Sequence, residues 1–258
     1  SAYAETLIDD ITMLNAALKV VNQNPLGSAA GYGSSFPINR TFTTQELGFA
    51  TLKFNSVAAQ MSRGKSEKTV AFAMSSVAAT LAKFSMDVCL YMSQNFDFIS
   101  LPAHLTTGSS IMPHKKNPDV FELIRGKCNK IQALPYEITL ITNNLPSGYH
   151  REFQLLKEGL FPAIQNLKAC LDIAIFFFFF IKVKDNILVD PKYNYLFTVD
   201  TLNEMVVAGI PFRDAYKAVA EQLENGTYES PKATQHTHEG SINNLCLKEI
   251  KEKMQNAF

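Results

Sequence analysis

The sequence has few cysteines, and none of them has a close neighbour of its own kind. Its four, Cys89, Cys128, Cys170 and Cys246, lie far apart with no Cys-x-x-Cys pair. Zinc sites and small disulfide frameworks need characteristic cysteine spacings, so neither is indicated. His236 and His238 form a pair in a polar stretch without an evident third ligand, which favours solvated side chains over a metal site. We therefore expect free thiols in a reducing cytoplasm.

The sequence also lacks an excess of charge of either sign. Lysine and arginine total 24, aspartate and glutamate total 24, and the net charge is zero. Nucleic acids and anionic membranes bind basic surfaces, so we expect neither as a partner. Charged residues make up only 19% of the chain, below the usual ~25%. This shortage indicates that partners cover much of the surface.

An apolar run long enough for a membrane span is missing as well. Ile173 to Ile181 is apolar throughout and contains five consecutive phenylalanines, but Asp172 and Lys182 bracket it closely. A spanning helix needs about 20 apolar residues. The run therefore predicts a helix buried on every side, inside a bundle or a subunit interface.

What the sequence does contain is sustained helical periodicity. Apolar residues at alternating spacings of four and three predict one helix of ~27 residues, on the order of 40 Å long. These residues are Val70, Met74, Val77, Leu81, Phe84, Val88 and Tyr91. Similar stripes predict helices over 7–21, 47–61, 124–145 (with Pro135 inside) and 160–181. Helices of this length indicate a long bundle.

Shorter elements follow Pro191: predicted helices at 198–207, 212–224 and 241–254, with a polar loop over 225–240. The sequence thus predicts an all-α fold with a central long-helix bundle domain over 1–190 and a small C-terminal helical domain over 191–258. Apolar residues have helical spacing from the beginning of the chain, and there is no initiator methionine or signal-like segment. We therefore expect that the chain starts within a helix.

The richest stretch chemically is Thr107 to Pro118, which we call the signature loop. Gly108 can act as a hinge, and we expect the loop to be mobile without ligand. Asn117 and Pro118 predict a helix start, with Asn117 as N-cap. The unpaired N–H groups of that terminus, together with Lys115, suit a carboxylate or a developing oxyanion.

Two motifs resemble a known family. Gly108-Ser-Ser-x-Met-Pro-x-Lys-x-Asn-Pro118 resembles the signature of the fumarase/aspartase superfamily, whose members cleave C–N or C–O bonds by β-elimination. The second motif resembles a run of the argininosuccinate lyases, in which Leu-Pro-x-x-Tyr is followed by glutamine five residues on and lysine eight on. Tyr149, Gln154 and Lys157 match it, although His150-Arg151 replaces the usual Asn-Lys.

The resemblance implies a carbon–nitrogen lyase of arginine biosynthesis, a cytoplasmic homotetramer that converts argininosuccinate to arginine and fumarate without a cofactor. Ser109 matches the catalytic base, Lys115 and Asn117 match residues that hold the carboxylate, and Glu122 matches a glutamate that orients a histidine. No histidine of this chain occupies the motif of that partner. Each site in this family gathers residues from three subunits, and we expect the 258 residues alone to be inactive.

The resemblance also implies substrate contacts, namely Tyr149, Gln154, Lys157 and Ser110. Arg40 follows a stretch like the Asn-Pro-Leu-Gly loop of argininosuccinate lyases, where an arginine is expected near substrate; a solvated loop arginine fits the same pattern. Tyr216 stands where the family usually has histidine, in a turn we interpret as structural. Two alternatives remain open: a non-catalytic bundle protein related to the lens crystallins, and another fumarate-releasing lyase.

Overall fold

The computed structural model describes residues 1–112, 114–231 and 236–257, and in this part the chain is all-α, as predicted. The helices are α1 (Ala2–Val21), α2 (Arg40–Glu46), α3 (Ser56–Met61), α4 (Lys65–Tyr91), α5 (Asp119–Ile141), α6 (Leu156–Phe178), α7 (Thr198–Val207), α8 (Phe212–Glu224) and α9 (Leu247–Asn256). Short 3₁₀ helices cover Ala103–Leu105, Arg151–Gln154, Ile187–Val189 and Pro191–Phe197. The strands are two-residue pieces: β1 (Gln23–Asn24), β2 (Thr51–Leu52), β3 (Ile99–Ser100) and β4 (Lys182–Val183).

The chain divides into two compact units. The first contains Ser1–Lys182 and Ile250–Phe258, and the second contains Val183–Glu249. In the first unit the C-terminal residues return to α1, where Lys253 Nζ lies 3.0 Å from Glu5 Oε1. The domain boundary predicted at residue 190 stays a prediction.

The core of the first unit lies between long helices, with α4 packed along α1, α5 and α6. Phe121, Cys128 and Ile138 of α5 are almost fully buried, as is Leu156 at the start of α6. Removing such apolar side chains from water is the main contribution to stability. The predicted long bundle is therefore confirmed. The signature loop precedes α5 and residues 145–157 follow it, so the bundle positions both segments.

Helix α4 has the 27 residues that the apolar stripe predicted. Met74, Val77, Leu81 and Val88 lie in the core, whereas Tyr91 is largely exposed. The sequence pattern also predicts Ser66 as the cap of this helix, which is wrong, because the helix begins after Gly64, whose backbone N–H donates to Glu67 Oε2 at 2.7 Å. A glutamate in the first turn also stabilises the helix through its dipole.

The buried stripe of α6 differs from the predicted one in its register. We predicted core positions at Leu160, Ile164, Leu167, Leu171, Ala174, Phe178 and Ile181. The fully buried residues are Leu160, Ala163, Leu167, Cys170, Ala174 and Phe177. Phe177 is 8% exposed and packs edge-on against Phe121, with ring centroids 5.7 Å apart, while Phe178 is 59% exposed. An apolar run offers several stripes with helical spacing, and packing against α5 selects one of them.

The prediction that Ile173 to Ile181 is buried on every side is wrong for this chain taken alone. The helix ends at Phe178, and Phe179 is 79% exposed. Ile175, Phe176 and Phe178 are also more than half exposed. One face of the run therefore packs in the core and another presents apolar rings to the outside. Exposed apolar patches of this kind are typical of interfaces.

Two stretches are long and apolar enough to cross a membrane by length and composition, α4 and Arg151–Phe178. Half of the most apolar window of α4 is buried inside the bundle, and a third of the window in Arg151–Phe178. Core helices of soluble bundles meet the same criterion, and α4 packs as one of them.

The single helix predicted over 47–61 is wrong. Over these residues the chain forms the turn that follows α2, then β2 and α3. Gly48 has a φ of +70°, which ends α2, and Asn55 caps α3 by accepting from the amide of Ala58. β2 pairs in parallel with β1, Gln23 opposite Thr51. The apolar spacing that suggested one helix covers a turn, a two-residue strand and a short helix.

Two further helix boundaries differ from those predicted. α5 ends at Ile141 rather than continuing to Leu145, and Asn144 takes a φ of +60° in the turn that follows. α9 begins at Leu247 rather than Ser241. In the second unit, α7 and α8 have the predicted bounds. The predicted loop 225–240 includes residues 232–235, which lie outside the described part of the chain.

Candidate active site

The signature loop is closed at its base by an antiparallel backbone bridge. The amide of Asn117 donates to the carbonyl of Thr107 at 2.9 Å, and the amide of Thr107 donates back at 3.3 Å. Inside the loop, the amide of Lys115 donates to the carbonyl of Met112 at 3.0 Å. Pro113 lies outside the described residues. The bridge holds the two ends of the loop together beside the first turn of α5.

Ser109 sits where backbone amides converge. Its Oγ accepts hydrogen bonds from the amides of Ile111 at 3.2 Å and Met112 at 3.1 Å. Two N–H dipoles directed at one oxygen stabilise negative charge on it. Ser109 is half-buried and Ser110 is exposed. Of the two hydroxyls, Ser109 is therefore the one with surroundings suited to an alkoxide.

Gly108 does not take a conformation that requires glycine. Its φ is not in the left-handed region, and a Cβ built there would meet nothing within 4 Å. The hinge role of Gly108 stays a prediction, since the observed conformation would accept another residue.

Helix α5 begins one residue later than predicted, with Asp119 as its first residue, so Asn117 is not its N-cap. The backbone of Asn117 serves the loop bridge instead. Lys115 is exposed and Asn117 is half-buried. Asp119 and Glu122 occupy the first turn, where carboxylates interact favourably with the helix dipole.

Glu122 is exposed and makes no ion pair with another described residue. It lies close enough to Cys89 to affect the thiol: burial raises the pKa of Cys89, Arg125 opposes the rise and Glu122 adds to it. The described histidines include no partner for Glu122. That its histidine is not supplied by this chain stays a prediction.

A second polar group lies beyond the other end of α5, in residues 145–157, which we call the 145–157 segment. Gln154 Nε2 donates to the hydroxyl of Tyr149 at 3.1 Å. Tyr149 is 44% exposed, and Gln154 and Lys157 are exposed. The 3₁₀ helix that ends at Gln154 leads through Leu155 into α6, which contains Lys157 in its first turn. The three predicted side chains thus lie on one short segment, with a direct contact between two of them.

Contacts from distant parts of the chain hold this segment. Tyr32 donates its hydroxyl hydrogen to the carbonyl of Ser147 at 3.2 Å. Gly148 lies beneath the same hydroxyl with a φ of +133°, and a Cβ there would come within 3.0 Å of Tyr32 Oη. Arg63 binds the backbone at Phe153. Tyr32 and Arg63 belong to no motif of the sequence, because no local pattern connects residues 115 and 90 positions apart.

Arg40 is engaged with the backbone of its own region. Its guanidinium donates to the carbonyls of Leu26, Lys53 and Phe54, each at 2.8 Å. These bonds tie the end of the long loop to the turn before α3. A contact between Arg40 and substrate stays a prediction. The alternative of a solvated loop arginine does not describe a guanidinium that binds three backbone carbonyls.

The two polar groups lie at opposite ends of one helix. The signature loop precedes α5 and the 145–157 segment follows it, and α5 has 23 residues. At 1.5 Å per residue, the helix separates them by about 34 Å. Ser109 and Tyr149 of one chain cannot contact the same small molecule.

Comparisons with known proteins identify the family. A model of a protein family described as Lyase matches residues 1–133, just over half of the chain. The chain belongs to this lyase family. The predicted membership of the fumarase/aspartase superfamily is therefore confirmed.

Curated relatives of this lyase-family chain cover it almost completely. It is 57% identical over 257 residues to the argininosuccinate lyase of Parabacteroides distasonis, covering 100% of this chain and 58% of that protein. It is 56% identical over 254 residues to the argininosuccinate lyase of Bacteroides fragilis strain ATCC 25285, covering 98% and 57%. The chain therefore spans a little under three fifths of the length of these relatives.

A solved structure supports the fold. The class II fumarase of Schistosoma mansoni superposes with a TM-score of 0.74 at 18% identity, covering 100% of this chain and 57% of that one. At this identity the likeness concerns the fold, and it confirms the helical bundle.

Proposed function

We propose that an enzyme containing these 258 residues is an argininosuccinate lyase, a carbon–nitrogen lyase that splits argininosuccinate into L-arginine and fumarate in arginine biosynthesis. The observation that carries the proposal is the placement of Ser109 Oγ against two backbone amides inside the signature loop. The 57% identity to an argininosuccinate lyase supports argininosuccinate as the substrate.

Ser109 is proposed as the base. It removes a proton from the carbon beside a substrate carboxylate, and the electron pair moves into that carboxylate to give an aci-carboxylate. Collapse of this intermediate forms the carbon–carbon double bond of fumarate and expels the guanidino nitrogen of arginine. A serine hydroxyl is a weak base, so it acts only if its alkoxide is stabilised. The amides of Ile111 and Met112 support this role.

The remaining side chains are proposed to bind the substrate and its developing charge. Lys115 and Asn117 hold the carboxylate that becomes the aci-carboxylate, and Glu122 orients a histidine outside this chain. A second part of the substrate is bound by Tyr149, Gln154 and Lys157. The amide of Gln154 and the ammonium of Lys157 together suit a carboxylate. Ser110 and Arg40 complete the proposed contacts. No metal or other cofactor has a part in this scheme.

The length of α5 implies that more than one copy builds each site. About 34 Å of helix separates Ser109 from Tyr149 in one chain, so the two groups meet only if a neighbouring copy presents its opposite end. We propose a homotetramer whose long helices form a shared core, in a soluble cytoplasmic enzyme. The exposed rings of Phe176, Phe178 and Phe179 support an apolar interface of this kind. The domains are proposed as residues 1–190 and 191–258.

The proposal can be tested with a chimera. The matching 257 residues of the Parabacteroides distasonis relative are replaced by this chain, so that the rest of that relative supplies the other groups. We expect fumarate and arginine to form in equal amounts from argininosuccinate. A folded, assembled chimera that releases no fumarate above a Ser109→Ala control would contradict the proposal and favour a non-catalytic bundle. Fumarate from adenylosuccinate or aspartate in place of argininosuccinate would assign a different lyase.

A further inference from the structure

Arg63, in the turn before α4, makes three contacts that no sequence motif suggests. Its Nη2 donates to the carbonyl of Phe153 at 3.0 Å, and its Nε donates to Glu67 Oε1 at 2.9 Å. Its guanidinium also lies over the ring of Phe153, 5.6 Å from the centroid. Arg63 therefore holds both the main chain and the side chain of one residue in the 145–157 segment.

Phe153 is the anchor of that segment. Its ring is 5% exposed and lies in the core, so its position follows the bundle. The residue directly after it is Gln154, and Lys157 follows one turn later. A guanidinium bound to the carbonyl of Phe153 therefore restrains the backbone from which both polar side chains project.

Arg63 is itself held by α4. Glu67, which accepts from Arg63, also accepts from the amide of Gly64 at 2.7 Å through its other oxygen. One carboxylate thus binds the arginine and the first turn of the 27-residue helix. The planar guanidinium donates in fixed directions, so it can join Glu67 and Phe153 in a way that a lysine ammonium cannot copy.

A cavity lies beside this contact, between the segment and the start of α4. Its volume is about 400 Å³, and Gly64, Lys68, Thr142, Leu145 and Phe153 are among the residues that line it. Close packing does not restrain the segment on this side. On this side, the hydrogen bond from Arg63 adds to the restraint that the buried ring of Phe153 provides.

We infer that Arg63 is a positioning residue that holds Gln154 and Lys157 in place for substrate binding. The inference rests on the proposed function of those two side chains and deepens it. Arg63 does not itself touch substrate in this scheme. It acts through the carbonyl of Phe153.

The kinetic test uses the chimera described above. Arg63→Gln should raise KM for argininosuccinate about tenfold and leave kcat within about threefold, because binding interactions made equally in the ground state and the transition state appear in KM. Arg63→Lys should raise KM less. If Arg63→Gln does not fold, Arg63→Lys provides the KM measurement in its place. Arg213→Gln removes an exposed arginine of α8 in the second unit and should change neither constant. A KM within twofold of the parent in both Arg63 variants would overturn the inference.

A coupling test separates positioning from a general loss of structure. In a chimera that already carries Gln154→Ala and Lys157→Ala, adding Arg63→Gln should change KM by less than twofold, since the side chains that it positions are gone. A further tenfold increase would show that Arg63 acts elsewhere and would overturn the inference.

Amide hydrogen exchange on the 258-residue chain gives an answer that does not depend on activity. Arg63→Gln should speed exchange of the amides of residues 150–157 about tenfold, while amides in the middle of α5 keep the parental rate. Unchanged exchange in the segment would overturn the inference. If the parent chimera releases no fumarate but this exchange effect is present, the proposed function fails and the restraint by Arg63 stands.

Discussion

The side-chain oxygen of Ser109 lies 3.1 Å from the backbone nitrogen of Met112, with the amide hydrogen directed at it. In the chimeric enzyme, Ser109→Ala removes the proposed base and should lower kcat by about three orders of magnitude or more with little change in substrate affinity. Steady-state measurement of fumarate release, with substrate affinity measured by calorimetry, checks both parts.

Ser34 provides a matched control for this change. Its Oγ also accepts a backbone amide, that of Phe36 at 3.1 Å, but in the loop before α2. Ser34→Ala should therefore retain nearly all activity. A Ser109→Ala enzyme within about tenfold of the parent, equivalent to ~1.4 kcal/mol of barrier, would remove Ser109 from the role of base.

The 258-residue chain should associate through its exposed apolar face. Ile175 is 59% exposed and Phe179 is 79% exposed, four positions apart. Replacing them together, Ile175→Glu with Phe179→Lys, introduces an opposite-charge pair at i, i+4 spacing and should shift the chain toward the monomer. Sedimentation velocity at several concentrations measures the shift.

Val207→Glu is the control for association, because Val207 is 88% exposed on the second unit. It should leave the sedimentation profile unchanged. A parent chain that sediments as a monomer at all concentrations would contradict the association itself.

Within the phenylalanine run, neighbouring positions should differ strongly in their effect on stability. Phe177 is 8% exposed and contacts Phe121, so Phe177→Ala leaves a cavity and should cost about 3–5 kcal/mol of unfolding free energy. Phe179→Ala changes an exposed ring and should cost about 0.5 kcal/mol or less. Urea unfolding of both variants under conditions that keep the chain monomeric tests this, and equal losses would contradict the register of α6.

The cysteine thiols of the bundle core should resist alkylation. Cys128 and Cys170 are buried on facing helices, and burial raises the pKa of both thiols, that of Cys128 to about 12. The thiolate is the reactive form, so at pH 8 very little of Cys128 is ionised, and this fraction rises with pH. Mass spectrometry after iodoacetamide treatment should find Cys246 labelled first and Cys128 labelled only after unfolding. Rapid labelling of Cys128 in the native chain would contradict its burial.

The raised thiol pKa values also predict how stability depends on pH. An unfolded thiol ionises near pH 9, whereas Cys128 in the fold stays neutral until about pH 12. The unfolded state therefore loses protons first, and the contribution of Cys128 to stability is lost as pH rises from 9 to 12. Cys128→Ala should reduce the fall in unfolding free energy over this interval, and an identical slope in both proteins would exclude the contribution.

Much of the fold could be predicted because helical periodicity is local. The stripe from Val70 to Tyr91 predicted the length of α4, and the Gly209-Ile-Pro211 break separated α7 from α8 with the right bounds. Periodicity was misleading where apolar residues are abundant or helices are short. It predicted one helix over 47–61, where a turn at Gly48 and β2 precede α3, and it selected Phe178 for the core in place of Phe177.

For the candidate site too, some features follow from the sequence and others only from the tertiary structure. The amino-acid sequence alone determined which residue types lie together in the signature loop and in the 145–157 segment, because their spacing along the chain is the motif itself. Only the tertiary structure decided that Ser109 faces two amides, that Gln154 contacts Tyr149 and that Arg63 holds Phe153. Such contacts depend on side-chain rotamers and on packing between distant elements, which no local pattern encodes. The separation of the two groups by the whole of α5 likewise follows from the continuous helix between them, and it is the physical reason that a single copy cannot complete the site.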